Sequence, residues 1–321
     1  MENPSGGLTV RPAGPQDLQG LLALCSSRPY AALPARGVSG EERRRVLLEG
    51  YRNHWGLLGQ DPNLQVLVGE RTGSLAGYLV LVTGLKESIT GEPLALIYDY
   101  AGEVEALAGR AVEEAAGRGA RHLVLEVSPR QPDEERRWEG LGFRVDMNRI
   151  ARPLGPPGPL PESPYRVRRA GRQDRLFLMW LNTLTSSFTI PAGREGERER
   201  IAAAYLDTYA GLDFAGDPRA PVFVVELSGR PAGYLMLRLG YHDEVTGHEV
   251  AYIYDLAIHP EHWGRRAVHR LLREVEAWLF AHGVRVLLGD VSQSNPRALK
   301  TALRALGFEL EWRRWTRELP G

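Results

Sequence analysis

Apolar positions along the chain switch between strand-like runs and stretches of helical spacing, and the switch occurs twice in the same order. QVLVGERTGSLAGYLVLV (65–82) and APVFVVELSGRPAGYLMLRL (220–239) each predict two strands around a glycine-containing turn. ALIYDYA (95–101) and VAYIYDLAI (250–258) predict the next strands, and helical periodicity follows over 103–117 and 266–282. HLVLEVS (122–128) and VRVLLGDVS (284–292) read as strands again. Short helices then stop at Leu141-Gly142-Phe143 and Leu306-Gly307-Phe308, where glycine suits a helix C-terminus. RVDMNRI (144–150) and ELEWRRWTREL (309–319) supply the closing strands. Each half therefore predicts an α+β domain, a mixed α/β layering with a central mixed sheet flanked by helices. Neither half carries Gly-x-Gly-x-x-Gly after its first strand, which argues against a Rossmann unit.

The halves are copies of one unit. VRPAGPQD (10–17) matches VRRAGRQD (167–174) at an offset of 157, and Ala76-Gly77-Tyr78 and Ile97-Tyr98-Asp99 match Ala232-Gly233-Tyr234 and Ile253-Tyr254-Asp255 at 156. Gly119 and Gly283 then match at 164, so the first copy lacks about eight residues between its IYD segment and the next helix. The proline-rich run RPLGPPGPLPESP (152–164) reads as an extended connection. The expected domains are 1–152 and 165–321, joined by a linker over 153–164.

Composition narrows the class. Of the 321 residues 43% are apolar and 25% charged, and 40 basic residues balance 40 acidic ones, so no whole-chain field favours nucleic acid or an anionic membrane. Cys25 is the lone cysteine, which rules out an internal disulfide and a cysteine-rich metal site. The opening MENPSGGL lacks a signal-peptide pattern, and no apolar run is long enough to cross a bilayer; the expected location is cytoplasmic. There is no HExxH, the 8 histidines are scattered, and no Gly-x-Ser-x-Gly elbow is present, so neither a metal centre nor a serine nucleophile is expected.

Residues 255–261 (DLAIHPE), Trp263-Gly264-Arg265-Arg266, Leu271-Leu272, Gly283, Asn295 and Leu306-Gly307-Phe308 occur in an order that resembles the GNAT acetyltransferase superfamily. With the repeat, the resemblance covers nearly the whole chain outside the linker and makes it look like a tandem GNAT protein. The resemblance implies that the fourth strand and following helix of a unit hold the pantetheine and pyrophosphate of acetyl-CoA. Residues 259–268 occupy that place in the second copy, with Leu256, Ala257 and Ile258 supplying the backbone N–H that polarises the thioester. Backbone N–H groups at a helix start bind phosphate oxygens, and small residues allow their close approach. The family's Arg/Gln-x-x-Gly-x-Gly/Ala pattern falls on Trp263, Arg266 and Val268, and all three depart from it. Gly264 and Ala267 remain small, while Arg265 and Arg266 offer charge to phosphates. Asn295 matches a family asparagine that contacts pantetheine or orders the adjacent loop; before Pro296 it also reads as a helix cap. In the first copy the matching stretch is short and bears Glu103 and Glu105, which implies a degenerate unit.

Acetyl transfer needs an amine nucleophile, a route for its proton and polarisation of the thioester. The tyrosine that often protonates the thiolate in this family is missing: its place falls at Leu303, or at Ala302 with a one-residue adjustment, and in the first copy at Trp138. Tyr252 and Tyr254 are the candidate catalytic residues. Strand alternation gives them one face, with Asp255 on the other unless a bulge intervenes. The segment WLNTLTSSFTIP (180–191) is placed after the second copy's opening helix as a substrate-side loop, rich in hydroxyls and Asn182 and without a carboxylate. The reading that results is an acetyl-CoA-dependent N-acetyltransferase, monomeric or homodimeric, acting in its C-terminal domain on a small-molecule or peptide amine. The alternative is a weak or inactive acyl-CoA-sensing or protein-interaction module.

Overall fold

The computed structural model describes residues 7–58, 60–87, 90–160, 162–194, 198–212, 217–243 and 246–320. The chain folds into two compact units, Met1–Val145 with Trp312–Gly321, and Asp146–Glu311. In the first, β1 (Thr9–Pro12), α1 (Leu18–Ser27) and α2 (Gly40–Leu58) come before β2 (Leu64–Arg71), β3 (Ser74–Lys86), β4 (Pro93–Gly102), α3 (Glu105–Gly117), β5 (His122–Val127) and α4 (Pro132–Gly140), which follow the predicted order. β6 (Arg144–Pro153) leads out of it. In the second, β7 (Tyr165–Arg169), α5 (Arg175–Thr185), α6 (Arg198–Ala210), β8 (Val222–Leu227), β9 (Arg230–His242), β10 (Glu249–Ile258), α7 (Ala267–Ala281), β11 (Val286–Ser292) and α8 (Pro296–Ala305) repeat that order, and β12 (Glu309–Glu318) leaves.

Local chemistry explains the elements. The β2–β3 and β8–β9 hairpins turn on Thr72-Gly73 (φ 51° and 80°) and Ser228-Gly229 (φ 51° and 75°). Two successive left-handed residues match the twist of the flanking strands, and glycine takes the second position without a Cβ penalty. Period-two alternation on β2 sends Val66 and Val68 toward α1 and α2, and Leu67 toward the opposite core. There Leu107, Ala108 and Ala111 of α3 and Trp138 of α4 cover Leu79, Leu81, Ala95 and Ile97. The second unit builds the same layer from Leu271, Leu272 and Val275 of α7, Ala302 of α8 and Leu306 just after it, over Leu235, Leu237 and Ala251. No helix among the described residues is long and apolar enough to cross a membrane.

Within each unit neighbouring strands are antiparallel except β4 with β5 and β10 with β11. The closing strands are exchanged between the repeats. Met147–Pro153 of β6 lines β11 in the second unit, and Arg313–Glu318 of β12 lines β5 in the first. Domains drawn along the repeat, 1–152 and 165–321, therefore differ from the compact units in the ownership of these two strands.

Candidate functional site

The parallel pair β10/β11 is bonded over only four positions, Val250 to Ile253 against Val286 to Gly289, although both strands run on, to Ile258 and Ser292. Beyond Ile253 and Gly289 the sheet splays. Leu256, Ala257 and Ile258 lie on this free stretch, with one edge paired to Leu235, Tyr234 and Gly233 of β9 and the other turned to the opening. The close β9–β10 approach leaves no room at Gly233, where a Cβ would come within 2.6 Å of the Ala257 carbonyl oxygen.

A tight turn at Pro260–His262 follows, then Gly264 (φ 73°) and Arg266 (φ 63°), both left-handed, before α7 begins at Ala267. Arg266 takes the N-cap position and gives no side-chain cap. Arg270 N–H bonds the Arg266 carbonyl, so the N–H groups of Ala267, Val268 and His269 point out of the helix start without an intrahelical partner. Ala267 is buried and Val268 packs on the core; what they present to the loop is main chain. Arg265 and Arg266 are exposed around this end. Trp263, also exposed, donates Nε1–H to the Ile258 carbonyl at 2.7 Å and carries Arg297 of α8 4.8 Å over its ring. His259 stacks on Trp180 at 5.2 Å. His262 lies 3.1 Å from the Tyr165 hydroxyl, and burial, then His259 and Arg265, lower its pKa from 6.5. Asn295 caps α8, its Oδ1 accepting from Ala298 N–H at 3.1 Å.

The sheet face toward α5 and α6 carries the candidate proton groups. Tyr252 donates its hydroxyl to Asp290 of β11, and Arg149 of the exchanged strand β6 donates to the same carboxylate through Nε at 2.9 Å and Nη2 at 3.4 Å. The β9–β10 register slips at Tyr254, between Ile253 and Asp255. This bulge overturns strict alternation: Tyr254 meets Tyr205 of α6 at 6.3 Å while Asp255 is bonded by Tyr209 of the same helix. The bulge thus turns Asp255 toward the helices on the tyrosine side. Asp255 Oδ2 also accepts from Tyr234 at 2.6 Å and Asn182 at 2.8 Å. Burial, then the Asp255 charge, push the Tyr209 and Tyr234 phenols well above 10.0, so both keep their protons and act as donors.

Residues 180–185 lie inside α5 rather than in a loop after it, because Leu178 and Leu181 extend the buried face and Asn182 reaches Asp255 from the same turn. The rest of the segment is strapped down: Ser292 Oγ bonds the Ile190 carbonyl at 2.5 Å, Ala192 N–H bonds the Asp146 carbonyl, and Arg194 pairs with Asp146 at 3.3 Å. Asp290, Arg149 and Arg238 are not among the candidates read from the sequence, where Asp290 and Arg238 are single charges within apolar runs and Arg149 is one of several charges on β6.

The first unit fills the equivalent space. β4 and β5 also part after Ile97 and Leu125. Arg28 there pairs with Asp99 at 2.7 Å, donates to the Tyr100 carbonyl and lies 3.9 Å over the Tyr100 ring. Trp138, fully buried, abuts Tyr100 and Phe143 edge-on at 5.0 and 5.1 Å. Glu103 and Glu105 sit at the short turn into α3, paired with Arg71 and Arg137.

The model of the Acetyltransferase (GNAT) family matches residues 177–308, the stretch from α5 through the end of α8. No curated protein matches the chain. Among solved structures, a GCN5-related N-acetyltransferase from Sphaerobacter thermophilus is 17% identical, with 98% of this chain and 96% of that chain covered and a TM-score of 0.53. A tandem GNAT protein from the clavulanic acid biosynthesis pathway is also 17% identical, covering 98% and 99%, with a TM-score of 0.44. A GNAT-family acetyltransferase from Colwellia psychrerythraea is 11% identical over 97% and 100%, with a TM-score of 0.43. The twofold repetition, the family match over the second copy and the likeness to the Sphaerobacter thermophilus structure together give this chain the tandem-domain architecture of the GNAT superfamily.

Proposed function

We propose that the unit Asp146–Glu311 transfers an acetyl group from acetyl-CoA directly to the amine of a small molecule or peptide, and that the other unit is a framework. The observation that carries this reading is the splay beyond Ile253 and Gly289, which opens at the uncapped start of α7. The residues fit the coenzyme. Outward N–H groups at Ala267 and Val268, the left-handed turns at Gly264 and Arg266, and the Arg265 and Arg266 guanidinium groups suit a pyrophosphate. The free edge of Leu256, Ala257 and Ile258 suits an extended amide chain, and an N–H on it suits a thioester oxygen. Acetyl-CoA, when bound, supplies a thioester carbon open to attack by an amine. With acetyl-CoA bound, Tyr252 would carry the proton route: its oxygen would take the proton of the attacking nitrogen while its own passed to Asp290, to which it already donates, and the thiolate released as the C–S bond breaks would take its proton from solvent, since Leu303 offers none. Arg149 holds the Asp290 carboxylate in place for that step. Tyr254, held between Tyr205 and Arg238, forms the acceptor wall.

Calorimetric titration of the full chain with acetyl-CoA tests this. Binding is expected in wild type and a loss of roughly tenfold or more in the Arg265→Glu/Arg266→Glu variant, since two favourable charges become repulsive. Absence of binding at millimolar coenzyme would sink the proposal. Binding without thiol release over a broad amine panel would favour coenzyme sensing, the reading to which Leu303 in place of a proton donor also points.

A further inference from the structure

We infer that the acceptor bears a carboxylate next to its amine, as an α-amino acid does, and that Arg238 binds that carboxylate; this rests on the acetylation reading above. Arg238 of β9 is the cross-strand partner of Tyr252 of β10, so the two side chains leave the same face of the sheet. The partner of Tyr252 on β11 is Leu288, and Asp290, two residues on, shares that face. Arg149 pairs opposite Asp290 from β6. The face therefore carries a row, Arg238, Tyr252, Asp290 and Arg149, which crosses the sheet where β10 and β11 begin to part.

The charges of this row do not balance. Arg149 grips Asp290 with two hydrogen bonds and neutralises it. Arg238 is half-buried, and its guanidinium lies 4.6 Å over the ring of Tyr254; among the described residues no carboxylate pairs with it. An aromatic face offers attraction to the cation but no acceptor for the in-plane N–H fork. One positive charge with an unused planar fork matches one carboxylate, which it can hold bidentately. Because Arg238 and Tyr252 are direct neighbours across strands, the groups they engage must be close in the ligand. An amine delivered to Tyr252 and Asp290, with its carboxylate on Arg238, is the arrangement of an amino acid rather than of the two ends of a long chain. The hydroxyls of the α5 segment do not supply this discrimination, since Thr183 and Thr185 each bond a carbonyl of their own helix.

The test compares the protein amino acids with their carboxamides, which keep every atom of the backbone amine but lack the negative charge. With acetyl-CoA and the full chain, at least one amino acid is expected to exceed its carboxamide in kcat/KM by roughly 10- to 100-fold, the range for a charged hydrogen-bonded contact. In Arg238→Gln that ratio is expected to collapse toward one, chiefly through KM, and in Arg238→Lys to keep an intermediate value, which also guards against a glutamine variant that fails to fold. Equal use of acids and carboxamides by wild type, or a ratio unchanged in both variants, would overturn the inference while leaving acetylation intact. Should no amine release thiol, the acetylation reading falls by itself. Calorimetry with the same two sets then decides the site: binding of an amino acid but not its carboxamide, lost in Arg238→Gln, upholds it, and no charge-dependent binding refutes it.

Discussion

Arg11 and Asp17 account for the most regular match between the repeats. Arg11 Nη1 and Nη2 donate to the two Asp17 oxygens at 2.7 and 2.8 Å, and Gly14 N–H adds a third bond at 2.7 Å; Arg168, Asp174 and Gly171 copy the arrangement. The bond from Arg11 lowers the Asp17 pKa below 3.8 despite burial. A carboxylate depressed in the folded state contributes stability that is present above its ordinary pKa and disappears as pH falls through the folded value. Asp17→Asn is therefore expected to lower the unfolding midpoint in denaturant at neutral pH by an amount that stays level down to about pH 5 and shrinks below the ordinary value of 3.8. A gap that persists undiminished in acid would show that the ion pair is not its source. The tyrosine of one other shared motif and the aspartate of the next also belong to the framework. Tyr78 and Tyr234 of the AGY matches donate at 2.6 Å to Asp99 and Asp255 of the IYD matches. Repetition thus marked the right residues, but their partnership was hidden, since it depends on strand register. The same limit hid Asp290 and Arg238, whose meaning comes from neighbours on other strands.

At the scale of elements, strand and helix order was legible from β2 and β8 onward, and the helices expected at 103–117 and 266–282 form as Glu105–Gly117 and Ala267–Ala281, whereas α2 and α6 were not foreseen and residues 180–185, expected in a loop, are helical. Periodicity reports which residues are buried, so it finds elements well. It is blind to the bulge at Tyr254 and to the point where β10 leaves β11, because neither changes the apolar pattern. Beyond both features β10 runs closely past β9 at Gly233, which is paired with Ile258. A methyl group there would sit 2.5 Å from Ile258 Cδ1 and 2.6 Å from the Ala257 oxygen. The first is a flexible tip, whereas the second is backbone and must move. Gly233→Ala is expected to cost about 1–3 kcal/mol in unfolding free energy, the usual range for forced overpacking. It should also weaken acetyl-CoA binding in calorimetry, because the strand that shifts carries Leu256, Ala257 and Ile258. Full stability with unchanged binding would mean that the tight approach does not set the opening.

At the scale of the molecule, the repeats were legible and the ownership of their last strands was not. β6 and β12 occupy equivalent places in sequence and alternate alike, so nothing local says which sheet each completes. The exchange gives the second unit Arg149 and Asp146 from the first repeat, one on the Asp290 carboxylate and one anchoring the segment after α5. It also makes a prediction about the linker. If each repeat folded on its own last strand, cutting the connection would free two domains. Here a cut in the exposed stretch 155–160 leaves β6 on the N-terminal piece, hydrogen-bonded along β11 and tied by Arg152 to Glu276 at 2.9 Å. The C-terminal piece keeps β12 along β5, with Arg313 on Glu135 at 2.7 Å and Trp315 in the first core. Insertion of a protease site within 155–160, followed by cleavage, is expected to give two bands on a denaturing gel but one peak at the intact position in gel filtration. Separation should require denaturant. Either repeat expressed alone would leave a long strand edge unpaired, on β5 or β11, and is expected to aggregate. Two soluble pieces that part after cleavage would refute the exchange and, with it, the entry of Arg149 into the second unit's site.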